Sequence, residues 1–209
     1  MRTPEEVKRQ LADYYAMVSE VDHQIGRILD ALDNAGAKAT FFVQGAMAVA
    51  CPDIVRDAVR RGHRVGNHGF LHHSARAVPF STYLADILKC QSVLQDILGS
   101  DVGLDFRPPY GHLTPRTLWA MARNGFRTVF WSIDSRDSFI LESGKLVQSI
   151  AGTRLRAAEV MLFHDDYAHT AEALPAVLSN LKARGCALSP LQSPQPSAAE
   201  GRARSGGIA

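Results

Sequence analysis

Charge of one sign is scarce in this chain. Its 23 Lys and Arg stand against 21 Asp and Glu, a formal net charge of +2, and no basic run or stripe breaks the balance. That gives no reason to expect nucleic acid or an anionic membrane surface as partner. Cysteine is scarce too. Cys51, Cys90 and Cys186 lie far apart, form no zinc-knuckle spacing, and their odd number argues against a disulfide framework. Buried thiols are the expectation. No apolar run is long enough to span a bilayer. The opening Met1-Arg-Thr-Pro-Glu-Glu6 lacks the apolar segment of an export signal, which leaves a cytoplasmic location as the default expectation. There is no internal repeat. What remains, 209 residues with 46% apolar and 21% charged, suits one sizeable core.

The first 35 residues predict one amphipathic helix. Thr3-Pro-Glu-Glu6 reads as a capping box with proline at the first helical position. Val7, Leu11, Tyr14, Val18, Val21, Ile25, Ile28 and Leu32 then recur at steps of three and four along one face, and Asn34-Ala-Gly36 is a stop signal. Beyond it, strand-like runs at 39–43, 64–66, 104–106, 128–133, 160–163 and 187–188 alternate with helical candidates near 52–61, 79–98, 114–124, 143–152 and 169–184. That alternation predicts an α/β fold with a parallel sheet or barrel. The stretch 192–209, rich in Ser, Pro, Gly, Ala and Arg, predicts a disordered tail.

Four polar clusters follow strand-like runs, where open and barrel-like α/β proteins place their chemistry. His68 and His72 are spaced to reach one metal ion, or are two polar histidines on a surface turn. Arg107-Pro-Pro-Tyr-Gly111 is a stiff loop with a fixed charge, able to hold the N–H groups of Tyr110 and Gly111 in place. Trp131-Ser-Ile-Asp-Ser-Arg-Asp137 carries two carboxylates and an Arg, or a surface salt-bridge network. His164 leaves the apolar run Val160 to Phe163 beside Asp165 and Asp166, a setting that tunes an imidazole for proton transfer.

Taken together, Gly36-Ala-Lys-Ala-Thr-Phe-Phe-Val43, Gly62-His-Arg-Val-Gly-Asn-His68, Arg107-Pro-Pro-Tyr-Gly111, Trp131-Ser-Ile-Asp134 and Leu162-Phe-His-Asp165 resemble, in content and order, the polysaccharide deacetylases. The resemblance covers about residues 36–191 and implies a distorted (β/α) barrel. It implies metal-assisted removal of acetyl groups from glycans such as chitooligosaccharides or peptidoglycan. By the same resemblance, His68 and His72 are ligands for zinc or another divalent metal, and His164 is the general acid. Arg107 orients the catalytic base, and the Tyr110 backbone stabilises the oxyanion. Asp137, or else Asp134, pairs with His164, and Tyr110 and Phe163 contact substrate. His63 fits a structural position, while His73, His112 and His169 read as surface residues. The resemblance leaves the glycan and the oligomeric state open.

Three departures are local. Ser138 stands where the family usually has Trp, Phe163 where it has Leu, and Gly69 where it has Ser or Thr. The fourth is larger. The family's Thr-Phe-Asp-Asp-Gly strand, which supplies the base and a third metal ligand, has no match in residues 1–35. Its place by distance falls near Asp13, inside the periodic helix that also holds Asp22. Residues 11–33 instead resemble a helix of the sulfatases, without that family's Cys/Ser-x-Pro-x-Arg nucleophile motif. The expectation is a barrel without its first strand, a weakly held metal and impaired turnover.

Overall fold

The computed structural model describes residues 3, 5, 6, 9, 23–99 and 102–192. Thr3 and Glu6 form the expected capping box: the Thr3 N–H donates to Glu6 Oε2 (2.8 Å) and the Glu6 N–H to Thr3 Oγ1 (3.2 Å). Val7, Leu11, Tyr14, Val18, Val21, Asp13, Asp22 and the expected tail after Gln192 lie outside the described residues. Residues 23–34 are helical (α1) and end as the sequence predicts, with Gly36 in the left-handed region at φ 59°.

After α1, strand and helix alternate. β1 (Thr40–Val43) leads to α2 (Gly45–Ala50) and α3 (Pro52–Arg60), then β2 (Arg64–Asn67) to α4 (Phe80–Leu98). β3 (Asp105–Phe106), a 3-10 turn (Pro109–Gly111) and α5 (Pro115–Arg123) follow. β4 (Arg127–Thr128), β5 (Ile133–Asp134), α6 (Ser143–Ala151), β6 (Met161–Leu162) and α7 (Ala168–Ala183) complete the order. β1 to β4 pair parallel in sequence order, and β5 pairs parallel with β6. This is the α/β class with helices packed on parallel strands. Among the described residues no strand precedes β1.

Three expectations need correction. The run 128–133 is not one strand. The Val129 N–H bonds back to Phe106 O, while Ser132 and Ile133 N–H both reach Val160 O, so the chain leaves one sheet at 129 and joins the other at 132. An apolar run between two sheets has the composition of one buried strand, and only long-range pairing divides it. Residues 187–188 form no strand, although the Lys38 N–H donates to Leu188 O. Helix α2 was not expected. It has no side-chain cap, and Gly45 lets it press close, since a Cβ there would lie 2.5 Å from Phe70 Cδ2 and 3.1 Å from Cys90 Cα.

The core falls into several clusters across this frame. Ile28, Ala31 and Leu32 of α1 pack with Ala171, Leu174 and Leu178 of α7. Ala48, Val55, Val65, Cys90 and Leu94 fill the space between α2, α3, β2 and α4. Cys51, Cys90 and Cys186 form no disulfide. Arg61 also ties α1 to α3, reaching Asp30 at 2.8 Å and Asp33 at 3.0 Å. Such partly exposed pairs add little beside the apolar contact. The α1 segment is therefore part of the packed body. Ile28→Ala should cost about 2–5 kcal/mol in urea unfolding. A loss below about 0.5 kcal/mol, the range of ordinary surface substitutions, would show that α1 does not pack as described.

Candidate active site

The four polar clusters lie at the C-terminal ends of the parallel strands. His68 directly follows β2, Arg107 directly follows β3, Asp137 stands three residues after β5, and His164 two after β6. This is the edge where α/β sheets leave room for ligands.

Asn67, fully buried at the end of β2, starts the histidine loop. Its Oδ1 accepts the Gly69 N–H (2.9 Å) and its Nδ2 donates to Ile87 O (2.9 Å) and Gln91 Oε1 (3.2 Å). Asp86 of α4 takes the next two backbone donors, Phe70 N–H at 2.7 Å and Leu71 N–H at 3.0 Å. Gly69, at φ 78°, is required here: a Cβ would sit 2.8 Å from Asp86 Oδ2. The loop then forces His72 into the left-handed region, at φ 58°. Tyr110 is held at φ 58° as well, and its ring centroid lies 4.6 Å from that of His72. Two non-glycine residues in this region cost about 1–3 kcal/mol each, a strain that gathers at functional sites.

His68 Nδ1 lies 2.7 Å from Arg107 O. A carbonyl can only accept, so Nδ1 carries the proton and Nε2 the lone pair. His72 Nε2 faces it at 3.2 Å. Burial pulls His68 down to about 4, against the backbone hydrogen bond to Arg107 that raises it. Burial and the charge of His164 lower His72 as well. Both rings are thus held toward the neutral, metal-ligating form. Two nitrogens each about 2.05 Å from a tetrahedral zinc stand about 3.3 Å apart, so the pair's spacing fits one ion. Without an ion, the same spacing is a hydrogen bond from one Nε2 to the other. Among the described residues no group of three His, Cys, Asp or Glu could hold a metal. The pair fits the metal; the set falls one protein ligand short of a usual catalytic zinc site.

His164 is paired by Asp137. Nδ1 lies 2.7 Å from Asp137 Oδ1, and the His164 N–H donates to Asp137 Oδ2 at 2.7 Å. Thr170 Oγ1 donates to Oδ2 at 3.0 Å, and His169 Nε2 donates to the Asp137 carbonyl at 2.7 Å. The hydrogen bond to Asp137 raises the His164 pKa, outweighing burial. Burial pushes the Asp137 carboxyl up, but the bonds from His164 outweigh it and hold it below its ordinary value. Asp134 is exposed and its Oδ1 accepts the Arg136 N–H (2.8 Å), so Asp137, not Asp134, reaches His164.

Arg107 is buried, and among the described residues its Nε has no hydrogen-bond partner. The guanidinium lies 4.1 Å from the Phe42 ring centroid and 5.9 Å from that of Trp131. Burial lowers its pKa to about 10. Phe163 is half-buried and packs in the α6–α7 cluster with Leu146, Ile150 and Val177. His63 is buried, and its Nδ1 accepts the Ala39 N–H at 3.1 Å. His169, expected as a surface residue, is instead half-buried and bonded to Asp137, because α7 begins directly behind that carboxylate. His73 lies 4.0 Å from Asp86, and His112 Nδ1 lies 2.8 Å from Ser74 Oγ. The supporting residues Asp86, Gln91 and Thr170 were not singled out from the sequence. Asp86 and Gln91 had a signal: they are polar residues on the buried face of α4, beside Tyr83, Ile87, Cys90 and Leu94.

A parallel α/β frame with a histidine pair and an Asp-backed histidine at its strand ends defines a hydrolase-like site. The polysaccharide deacetylase family model matches residues 15–129, and the chain belongs to that family. Among curated relatives, it is 32% identical to a chitooligosaccharide deacetylase of Azorhizobium caulinodans, over 78% of this chain and 84% of that protein. It is 30% identical to a peptidoglycan-N-acetylglucosamine deacetylase of Bacillus cereus, over 76% of this chain but only 61% of the relative's length. Among solved structures, a pseudoenzyme of carbohydrate esterase family 4 from Bacillus anthracis shares the fold at TM-score 0.74 and 23% identity, covering 81% of this chain and 59% of that one.

The ion pair sets a pH window. The raised His164 pKa adds stability that is full below the ordinary histidine value and is lost as pH rises through the folded value. The depressed Asp137 pKa adds stability present above the ordinary Asp value and lost as pH falls through the folded one. Histidine NMR in EDTA-treated protein should find His164 titrating above an ordinary histidine and His68 not before about pH 4. Asp137→Asn should lower the His164 midpoint. A midpoint unmoved by that substitution would remove Asp137 as the cause.

Proposed function

We propose that this chain is an impaired deacetylase acting on acetylated glycans of the chitooligosaccharide or peptidoglycan class. The observation that carries this is the Asp137–His164 pair placed on the same sheet edge as the His68–His72 pair, in a chain of this family. In this reading His164 enters as the imidazolium and gives its Nε2 proton to the departing amine or alkoxide, while Asp137 keeps the Nδ1 proton and fixes the ring. The backbone N–H at Tyr110 faces the oxyanion of the tetrahedral intermediate, its direction set by the strained turn after Pro109. Phe163 and the exposed Tyr110 ring contact the glycan. A zinc or other divalent ion held by His68 and His72 would polarise the acetyl carbonyl when bound. No described carboxylate stands beside Arg107 to take the proton from water. Loss of a general base typically costs about 10²–10⁴-fold in rate.

Arg107, whose Nε finds no hydrogen-bond partner among the described residues, favours a second reading, a non-catalytic remnant that binds glycan or metal weakly. Acetate release from acetylated chitooligosaccharides and peptidoglycan fragments separates the two. The first reading expects turnover about 10²–10⁴-fold below an intact family member, abolished in His164→Ala. Saturable glycan binding without any release supports the remnant. Turnover equal to an intact relative would overturn both. Zinc titration should give weak binding that disappears in His68→Ala/His72→Ala; unchanged binding there would remove the metal assignment.

A further inference from the structure

Asp137 is gripped at both ends. Its carboxylate is bonded by His164 and by Thr170 Oγ1. Its backbone is held separately. The Asp137 N–H donates to Ser135 Oγ at 3.3 Å, and His169 Nε2 donates to the Asp137 carbonyl at 2.7 Å. His169 and Thr170 are consecutive in the first turn of α7, so one turn of helix fastens both the main chain and the side chain of one residue. The loop that presents Asp137 needs such a hold. Arg136, directly before it, stands in the left-handed region at φ 61°, a conformation that persists only where the surroundings fix it. Asp137 is fully buried, and a buried carbonyl deprived of its donor is costly. A carbonyl can only accept, so His169 carries its proton on Nε2, whereas His164 carries one on Nδ1 toward the carboxylate. The ring of Tyr167 lies against both histidines. It stacks on His169 with centroids 5.2 Å apart and planes 16° apart, and its centroid is 5.8 Å from that of His164. Offset stacking favours aromatic pairs at this separation, so Tyr167 keeps His169 turned toward the carbonyl.

We infer that His169, seated by Tyr167, is a positioning residue for His164 and acts on it through the backbone of Asp137. The bonds from His164 and Thr170 fix only the carboxylate oxygens. A carboxylate held there alone moves with a shifting loop and carries the imidazole with it. Held at the carbonyl as well, Asp137 becomes a fixed post, and the direction of His164 Nε2 is set. A misplacement of about 1 Å in a reacting group can cost about 10²-fold in rate. The catalytic consequence rests on the reading of His164 as the acid; the geometry does not.

The test uses the full chain in EDTA, with the neutral histidines read by long-range proton–nitrogen NMR. His164 and His169 are assigned by their loss in His164→Ala and His169→Gln. The parent should show His169 as the Nε2–H tautomer and His164 as the Nδ1–H tautomer. The His164 Nδ1–H should exchange slowly in the parent and about tenfold faster in His169→Leu, which removes the donor. It should slow again in His169→Gln, whose amide nitrogen can donate to the same carbonyl. An Nδ1–H tautomer for His169 in the parent would overturn the assignment, and this reading needs no variant. Unchanged exchange in His169→Leu would overturn it too, as would exchange equally fast in His169→Leu and His169→Gln. If His169→Leu does not fold, Tyr167→Leu, which loosens the seat and leaves the donor, should also quicken the exchange; no change there would overturn the role of the stack. In acetate release, His169→Leu should lower kcat by up to about 10²-fold at unchanged KM, with recovery in His169→Gln. A shift in KM at unchanged kcat would overturn the positioning role. No acetate release from the parent defeats the deacetylase reading and leaves the NMR result standing, so the two failures are separable.

Discussion

The Asp137 carboxylate holds the second half of this molecule together. It is fully buried, yet its two oxygens accept three hydrogen bonds, from the His164 side chain, the His164 backbone and Thr170. Those donors come from the end of β6 and the first turn of α7, so one side chain joins the β5–β6 sheet to the last helix. Helix α7 then carries the connection further. Its Leu174 and Leu178 meet α1, and its Ala173, Val177 and Leu181 meet α6. A buried charge is tolerable only when its acceptor sites are filled, and filling them here also sets the ring of His164. Stability and the orientation of His164 are therefore one requirement.

The first half uses a second buried carboxylate together with an amide. Asn67 fastens the histidine loop to Ile87 and Gln91 of α4, and two backbone N–H groups of the loop donate to Asp86. The strain at His72 and Tyr110 is held in place by those bonds and by the ring contact between the two residues. Loops tied this way keep donor geometry without an ion to organise them. That is why the histidine pair can stand at metal-ligating distance while the third ligand is absent from the described residues.

Much of this was legible in the sequence, and the parts that were not share a cause. Helices α3 to α7 have clear periodicity or a proline start, and each falls within a residue or two of expectation. The His68, Arg107 and His164 clusters could be placed at strand ends because each directly follows an apolar run. The break of 128–133 across two sheets was hidden, because Val129-Phe-Trp-Ser132 has the composition of a single buried strand and only its partners, Phe106 and Val160, divide it. Thr170 and His169 were hidden for a similar reason. Their roles depend on what lies opposite them after folding, and local pattern carries no record of that. The choice between Asp134 and Asp137 was open in the sequence for the same reason. The left-handed residue Arg136 turns the chain so that the first carboxylate caps its own turn and the second enters the core.

Arg107 shows why membership of a family does not by itself assign turnover. The residue keeps its place after β3, its carbonyl keeps His68 in one tautomer, and its burial is maintained by Phe42 and Trp131. Each of those features is structural and is made by described residues alone. A scaffold can thus hold His164, the His68–His72 pair and the turn at Tyr110 through contacts that also stabilise the fold, whether or not a water-activating group stands before Arg107. What distinguishes a slow enzyme from a remnant is then not the geometry that remains. It is whether any proton acceptor reaches the space in front of Arg107.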